Sequence, residues 1–232
     1  MRHSIFLSLL VLLFGCQPAT EPVIVPPPSI PDPTISATIT TVPHHDGIIF
    51  NGENIGQSPA TLMIYTVDQL TDSLTAASAP EGVVEKRIKI ISEAKVEVTL
   101  LLDHDLSKMA KALNLTKILV FDYGEEITFD FNKAELKPEL KPLLDKQAEI
   151  LNNFFKGVDI HICGHSDSLG SRQRNMEISL QRAMSVFNEL VEVGVPRANI
   201  KVQGFGSDFP LVTNETEAGR ARNRRIEIIL GQ

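Results

Sequence analysis

The sequence predicts an α+β protein: an α/β sandwich, built as one sheet with two helices on a face, preceded by a small all-β domain. Three observations carry this. Over the second half of the chain, short alternating runs give way to longer segments of helical period, so helices must cross between strands. From residue 36 to residue 102 the pattern is alternating and β-rich. Residues 17–35 hold seven of the fourteen prolines and separate an N-terminal leader from the parts that can fold.

The chain of 232 residues begins MRHSIFLSLLVLLFGC, with Arg2 ahead of an apolar run from Ile5 to Phe14. About 20 apolar residues are needed to span a bilayer, so this run fits the core of a signal peptide over residues 1–15. Gly15 followed by Cys16 resembles the lipobox of bacterial lipoproteins. That resemblance implies an acylated Cys16 as the new N-terminus and anchoring in outer-membrane lipid. Gln17 in place of Asp implies sorting to the outer membrane, facing the periplasm. The stretch 16–35 is then a tether, which at ~3.1 Å per residue in polyproline II reaches roughly 55–60 Å.

Residues 36–102 read as a small β domain, with ISATITTV, GIIF, ATLMIYTV, VVEKRIKII and KVEVTLLL as its strands. NGENIG between apolar runs predicts a tight hairpin. FNGENIGQSP resembles the PEGA repeat, a small β-sandwich module of bacterial envelope proteins. TDSLTAASAPEG, residues 71–82, reads as an exposed loop. His44, His45 and Asp46 stand together, but adjacent side chains point apart, so they read as solvated polar residues. Residues 103–116 form a connector holding one short helix.

The remaining 117–232 alternate clearly. KILVFDY and EITFDF predict strands, and residues 137–155 a helix with Leu140, Leu143, Leu144, Ala148, Ile150 and Leu151 on one side. VDIHICGHS is a strand, 172–193 a helix, and NIKVQGFGS and RRIEIIL are strands. Because ITFDF and RRIEII alternate, one face of the sheet is expected to stay wet. On the second helix Met176, Leu180, Ala183, Phe187, Leu190 and Val191 recur at helical spacing as its core stripe.

The balance of 22 basic to 29 acidic residues gives no footprint for nucleic acid. The four arginines of GRARNRR suggest a phosphate patch, but the acidic and exported character of the chain argues against it. Cys163 has no partner besides the lipobox residue, and within DIHICG it reads as a small buried apolar group.

A polar line runs along the second helix. Asn175 and Arg182 are seven apart, with Ser179 beside them, at the rim where the strand-end loop with Ser166 and Asp167 should pass. Asp167 can accept an ammonium and Arg182 can fork onto a carboxylate, which suits a zwitterion such as an α-amino-acid head group. An Asp–Arg pair that only ties loop to helix explains the spacing equally well.

The blocks IHICGHSDSLGSRQRNMEISLQRAMSVFNEL and IKVQGFGSDFPLVTNETEAGRARNRRIEI resemble the OmpA-like peptidoglycan-associated domain. The resemblance covers residues 117–230 and implies non-covalent binding of peptidoglycan through diaminopimelate of the stem peptide. It implies that Asp167 and Arg182 hold the amino-acid end of that residue. Asn175, Ser166 (where Thr is commoner) and Arg224 would add hydrogen bonds, and Asn132 would lie on a loop lining the pocket. No enzyme and no cofactor is expected. HSD at 165–167 cannot form a triad from adjacent residues, and His161 and His165, about 13 Å apart along a strand at ~3.3 Å per residue, cannot share a metal. A cell-wall hydrolase, or a scaffold recruiting envelope partners, is the alternative. A flagellar-stator-like protein would need a membrane helix with a proton-carrying carboxylate, which the sequence does not offer.

Overall fold

The computed structural model describes residues 34–42, 47–77, 79, 82–92, 94–103, 105, 107–123, 129–130 and 132–231. The leader, Cys16, the proline-rich stretch up to residue 33 and His44–Asp46 lie outside these residues, while Ile35, the last residue of the expected tether, already belongs to a strand. Among the described residues, eleven strands and five α-helices follow one another. They are β1 (Ile35–Val42), β2 (Ile48–Phe50), β3 (Glu53–Gly56), β4 (Ala60–Ile64), α1 (Gln69–Asp72), β5 (Leu74–Ala76), β6 (Glu85–Ser92) and β7 (Lys95–Leu101). Then come α2 (Lys108–Leu113), β8 (Ile118–Asp122), α3 (Lys141–Phe154), β9 (Ile160–Gly164), α4 (Arg172–Glu192), β10 (Ile200–Gly204), α5 (Glu217–Asn223) and β11 (Ile226–Gly231).

Eight strands form one sheet in the order β10-β9-β11-β8-β6-β7-β1-β4, and β3-β2-β5 form a second. The sandwich itself is β10-β9-β11-β8, with β9 and β10 parallel across the α4 crossover and β11 antiparallel to both β9 and β8. A β-rich region precedes it, as the sequence suggests. Four of that region's strands continue the same sheet, because β6 pairs in parallel with β8, placing Glu85 opposite Ile118 and Ile88 opposite Phe121. Alternation alone cannot reveal such a join, since an edge strand and an inner strand can carry the same period. Asn51 and Gly52 both have positive φ, 50° and 82°, which gives the NGENIG segment the tight turn that its composition asks for.

Other expectations are corrected. Within 71–82, Leu74 and Ala76 are buried in a strand, not in an exposed loop, because β5 completes the small sheet beside β2. The strand expected at 126–131 lies mostly outside the described residues, and Phe129 and Asp130, which are described, are not in a strand. On α4, Leu180 is 43% exposed and the buried side is instead Asn175, Ile178, Ser179, Arg182, Ala183, Val186, Phe187 and Leu190. The polar line is therefore core rather than rim, and the true stripe is rotated toward it. The reverse face of the sheet is not wet. Met109 and Ala110 of α2 cover Ile118, Val120, Cys163 and Ile229 there, with Phe205 and Phe209 packed alongside. Cys163 is buried and free, and burial raises its thiol pKa well above the usual range.

Two glycines set the distance between α4 and the sheet. Gly164 ends β9 and pairs with Gly204 at the end of β10. A Cβ on Gly164 would lie 1.9 Å from the Ser179 carbonyl oxygen, and one on Gly204 2.6 Å from the Leu180 nitrogen. Any side chain at either place would push the helix off the strands. The close approach brings Asn175 and Arg182 down onto the loop that follows β9.

Candidate functional site

The loop after β9 turns back over the start of α4. Ser171 caps the helix, its hydroxyl accepting from the Arg174 amide at 3.2 Å, and Gly170 supplies the left-handed turn before it (φ 91°). Asp167 Oδ1 accepts from the Leu169 amide at 2.9 Å, which pins the carboxylate within this turn. The Ser166 hydroxyl and the Asn175 side-chain amide both donate to the Asp167 carbonyl, at 2.9 and 3.1 Å. The loop is thus built from the same residues that the sequence singles out.

Asn132, Ser166, Asp167, Asn175, Arg182 and Arg224 all line one small cavity of about 100 Å³. They come from four places in the chain: the segment before α3, the loop after β9, α4 and the end of α5. Two further residues matter. Arg174 lines the cavity and donates to Asn132 Oδ1 at 2.8 and 3.1 Å, holding in place a residue whose backbone is left-handed (φ 58°). Ile178 adds an apolar wall. Sequence reasoning passed over Arg174, which stands one residue before Asn175 and eight before Arg182 on the same helix. Helical spacing does not place it on their face, and what brings it to the cavity is its reach to Asn132 across the tertiary structure. The helix α5 was also missed; Thr216 caps it by accepting from the Gly219 amide at 3.0 Å, a Thr followed by acidic Glu217 being the available signal.

The charges are not paired as a simple Asp167–Arg182 tie. Asp167 Oδ2 accepts instead from Arg224 Nη1 at 2.9 Å, and Arg224 reaches Glu217 at 3.0 Å through its other terminal nitrogen. Arg182 is only 1% exposed and spends its donors on backbone: Nε to the Lys133 carbonyl at 2.9 Å and Nη2 to the Asp130 carbonyl at 3.2 Å. Its guanidinium lies 5.1 Å from the centre of the Phe129 ring. Its third nitrogen, Nη1, is buried with no hydrogen-bond partner. Burial, and then the nearby charge of Arg224, pull the Arg182 pKa down to about 10, against the attraction of Asp167. Arg224 moves the other way: burial opposes its charge, but hydrogen bonds to Asp167 and Glu217 outweigh this and raise it.

Three arginines and one aspartate around so small a space leave a surplus of positive charge, with one carboxylate still able to accept. Asp167 uses two of roughly four lone-pair positions in the bonds above. Guanidinium donors and a carboxylate acceptor thus stand around one cavity, charges of the two signs that a zwitterion also carries. The four arginines of GRARNRR are all in ion pairs: Arg220 with Glu217, Arg222 with Asp122, Arg224 with Asp167, and Arg225 with Glu227. Among the described residues there is no cluster of His, Cys, Asp and Glu that could hold a metal, and no helix long and apolar enough to cross a membrane.

Residues 128–224 match the model of the OmpA family, and every residue lining the cavity falls within that range. The chain is 37% identical over 112 residues to the probable lipoprotein YiaD of Escherichia coli, covering 48% of this chain and 51% of that protein. It is likewise 37% identical over 113 residues to the outer-membrane lipoprotein YfiB of Pseudomonas aeruginosa, covering 47% and 65%. Among solved structures, the peptidoglycan-associated lipoprotein of Burkholderia pseudomallei matches 45% of this chain and 87% of its own, with 27% identity and a TM-score of 0.43. The chain spans about half the length of the first of these curated relatives.

Proposed function

We propose that this protein is an outer-membrane lipoprotein that binds peptidoglycan without covalent linkage and ties the membrane to the wall. The cavity would hold the free amino-acid end of diaminopimelate in the stem peptide. One observation carries the reading: Arg182 presents a buried, unpartnered Nη1 in a cavity with excess positive charge. A buried donor without a partner costs free energy in the empty protein, and a ligand carboxylate removes that cost. Asp167 would receive the ammonium, while Arg224 holds its carboxylate in place. Asn175 and Ser166 keep the carrying loop shaped, and Asn132 with Arg174 closes the side. The relative named as an outer-membrane lipoprotein supports the location, and the Gly15–Cys16 pair supports an acyl anchor. The Asn51–Gly52 hairpin supports a PEGA-like character for the segment around it.

Titration of diaminopimelate into the full chain by calorimetry, with Arg182→Ala and Asp167→Ala as variants, tests the site. Each folded variant should bind at least tenfold more weakly than the parent. Parent-like binding by either would place the ligand elsewhere.

A further inference from the structure

The eight-stranded sheet has two outer strands, β10 and β4, and they are finished differently. β10 carries Lys201, which stands exposed in an ion pair with Asp159 at 2.5 Å. A charged side chain on an edge strand discourages another strand from adding to it. β4 has no such device. It reads ATLMI and lies within residues 54–67, a stretch without a charged side chain, and Pro59 precedes the strand rather than interrupting it. β1 is its one strand partner, and among the described residues Ala60–Ile64 make no hydrogen bond besides that ladder. One row of its backbone N–H and C=O groups is therefore left without partners. Ile64 turns into the core, while Thr61 and Met63 alternate onto the uncovered face, Met63 being 49% exposed. On that face Ser36 and Thr38 of β1 stand opposite Met63 and Thr61, so the uncharged surface continues inward from the edge. The edges of the small sheet are less suited to pairing: β3 carries Glu53, and β5 is three residues long.

From an open, uncharged edge beside a protected one, we infer that β4 pairs antiparallel with β4 of a second copy of this chain, across a two-fold axis, joining the two sheets into one. Antiparallel pairing of identical strands is an isologous contact: each copy gives and receives the same surface, and the contact closes on itself. The chain has a formal net charge of -7, so two copies repel wherever acidic surfaces meet. At β4 no side-chain charge opposes the approach. The unused backbone groups gain partners there, and Thr61 and Met63 of one copy meet those of the other as cross-strand pairs. Once paired, neither β4 edge stays open, and the outer strand left on each large sheet is β10, with its Lys201. The assembly therefore stops at two copies. The inference does not depend on peptidoglycan binding, since no residue of β4 lines the cavity of the OmpA-like region.

Sedimentation equilibrium of the full chain in detergent, with amide hydrogen exchange followed over the same concentrations, tests this. A reversible monomer–dimer equilibrium is expected. Amides within Ala60–Ile64 should gain protection as the dimer forms, while those of Ile200–Gly204 should not. Met63→Lys or Thr61→Lys sets like charges into the pairing in both copies, and each should weaken association roughly tenfold. Met63→Leu should leave association as in the parent. Far-UV circular dichroism like the parent's shows that a variant is folded, and the parent's own exchange pattern decides the matter if one is not. A monomer at every concentration, growth beyond the dimer, parent-like association of both folded lysine variants, or protection gained at β10 instead of β4 would overturn the inference.

Discussion

Buried arginines stand on both faces of the sheet, and they are treated in opposite ways. On the reverse face Arg87 of β6 meets Glu227 at 2.6 Å, Glu85 at 2.8 Å and Asp122 at 3.6 Å. Arg222 forks onto Asp122 at 2.6 and 3.1 Å, and Arg225 reaches Glu227 at 2.9 Å. Burial works against the charge of Arg87, but Glu227, Glu85 and Asp122 outweigh it and raise its pKa. On the α4 side Arg182 has backbone carbonyls, a ring and a neighbouring arginine, and its pKa falls. The first cluster is a closed set of ion pairs in which Arg87 joins the β-rich region to the sandwich. The second is left open toward a cavity. A buried cation saturated by carboxylates holds structure together, whereas one held only by dipoles is ready for an anion. Arg225 Nη1 also lacks a hydrogen bond, but it lies beside Glu227 and does not line that cavity.

The contrast can be broken most severely at Arg87. Arg87→Ala leaves Glu227, Glu85 and Asp122 without their shared partner and should cost about 3–5 kcal/mol of stability, measured by urea unfolding. Diaminopimelate affinity of the folded fraction should not change. A loss of affinity with intact stability would erase the distinction between the two faces.

Arg182→Ala should do the reverse in proportion. A charge-assisted hydrogen bond is worth about 1.5–3 kcal/mol, so affinity should fall roughly ten- to a hundredfold. Stability should fall less, since no ion pair is broken and what is lost is two bonds to the Lys133 and Asp130 carbonyls and the contact with the Phe129 ring. Arg182→Lys should not restore binding, because an ammonium cannot keep those two bonds and fork onto a carboxylate as well. A drop in melting temperature with unaltered affinity would make Arg182 a structural residue like Arg87.

Acid should dismantle the reverse face in two stages. Burial, with the charge of Arg225 acting the same way, holds His165 below its usual range, so it is neutral when folded and takes up a proton when unfolded. Its contribution is complete above an unfolded value near 6.5 and declines as pH falls beneath that value. Burial pushes Glu227 up, yet Arg87 and Arg225 prevail and hold it well below its usual range; for Asp122 burial is likewise outweighed, by Arg222 and Arg87. Their stabilisation is present above the ordinary carboxylate values near 4 and is lost as pH falls through the lower folded ones. Unfolding free energy followed from pH 7 to pH 3 should decline first below about 6.5 and again below about 4. His165→Gln should shrink the first decline and leave the second unchanged, the remainder of the first coming from His161, which burial also holds below its usual range. A curve without that first stage in the parent would contradict the assignment.

The smallest effect is expected at Arg174. It is 42% exposed at the side chain, and it also pairs with Glu177 at 3.2 Å, so Arg174→Gln should weaken diaminopimelate binding only a few-fold by loosening Asn132. Sacculi incubated with excess protein should release no soluble fragments above control. Steady release of muropeptides would move the reading to a hydrolase.

Much of the site was legible from the sequence because it depends on local spacing. Asp167, Asn175 and Arg182 fall on one loop and one helix, and helical periodicity carries both helix residues to the same side. The sequence places the helix at 172–193 against the observed Arg172–Glu192, with the Ser171 cap at its start, and places β9 and β10 by their alternation. What periodicity could not settle was rotation: the apolar residues Met176 and Leu180 suggested a stripe that the burial of Arg182 and Asn175 displaces. Polar residues look exposed until a partner for their buried atoms is known. The partners of Asp167 and Arg87, the join of β6 to β8, and the cavity are matters of tertiary structure. Each brings together residues far apart in the chain, such as Arg87 and Glu227, and their meeting depends on which strand edges pair. Local pattern determines that a strand forms and which way its side chains alternate; only the packed sheet decides its neighbour, and with the neighbour the identity of every cross-strand ion pair.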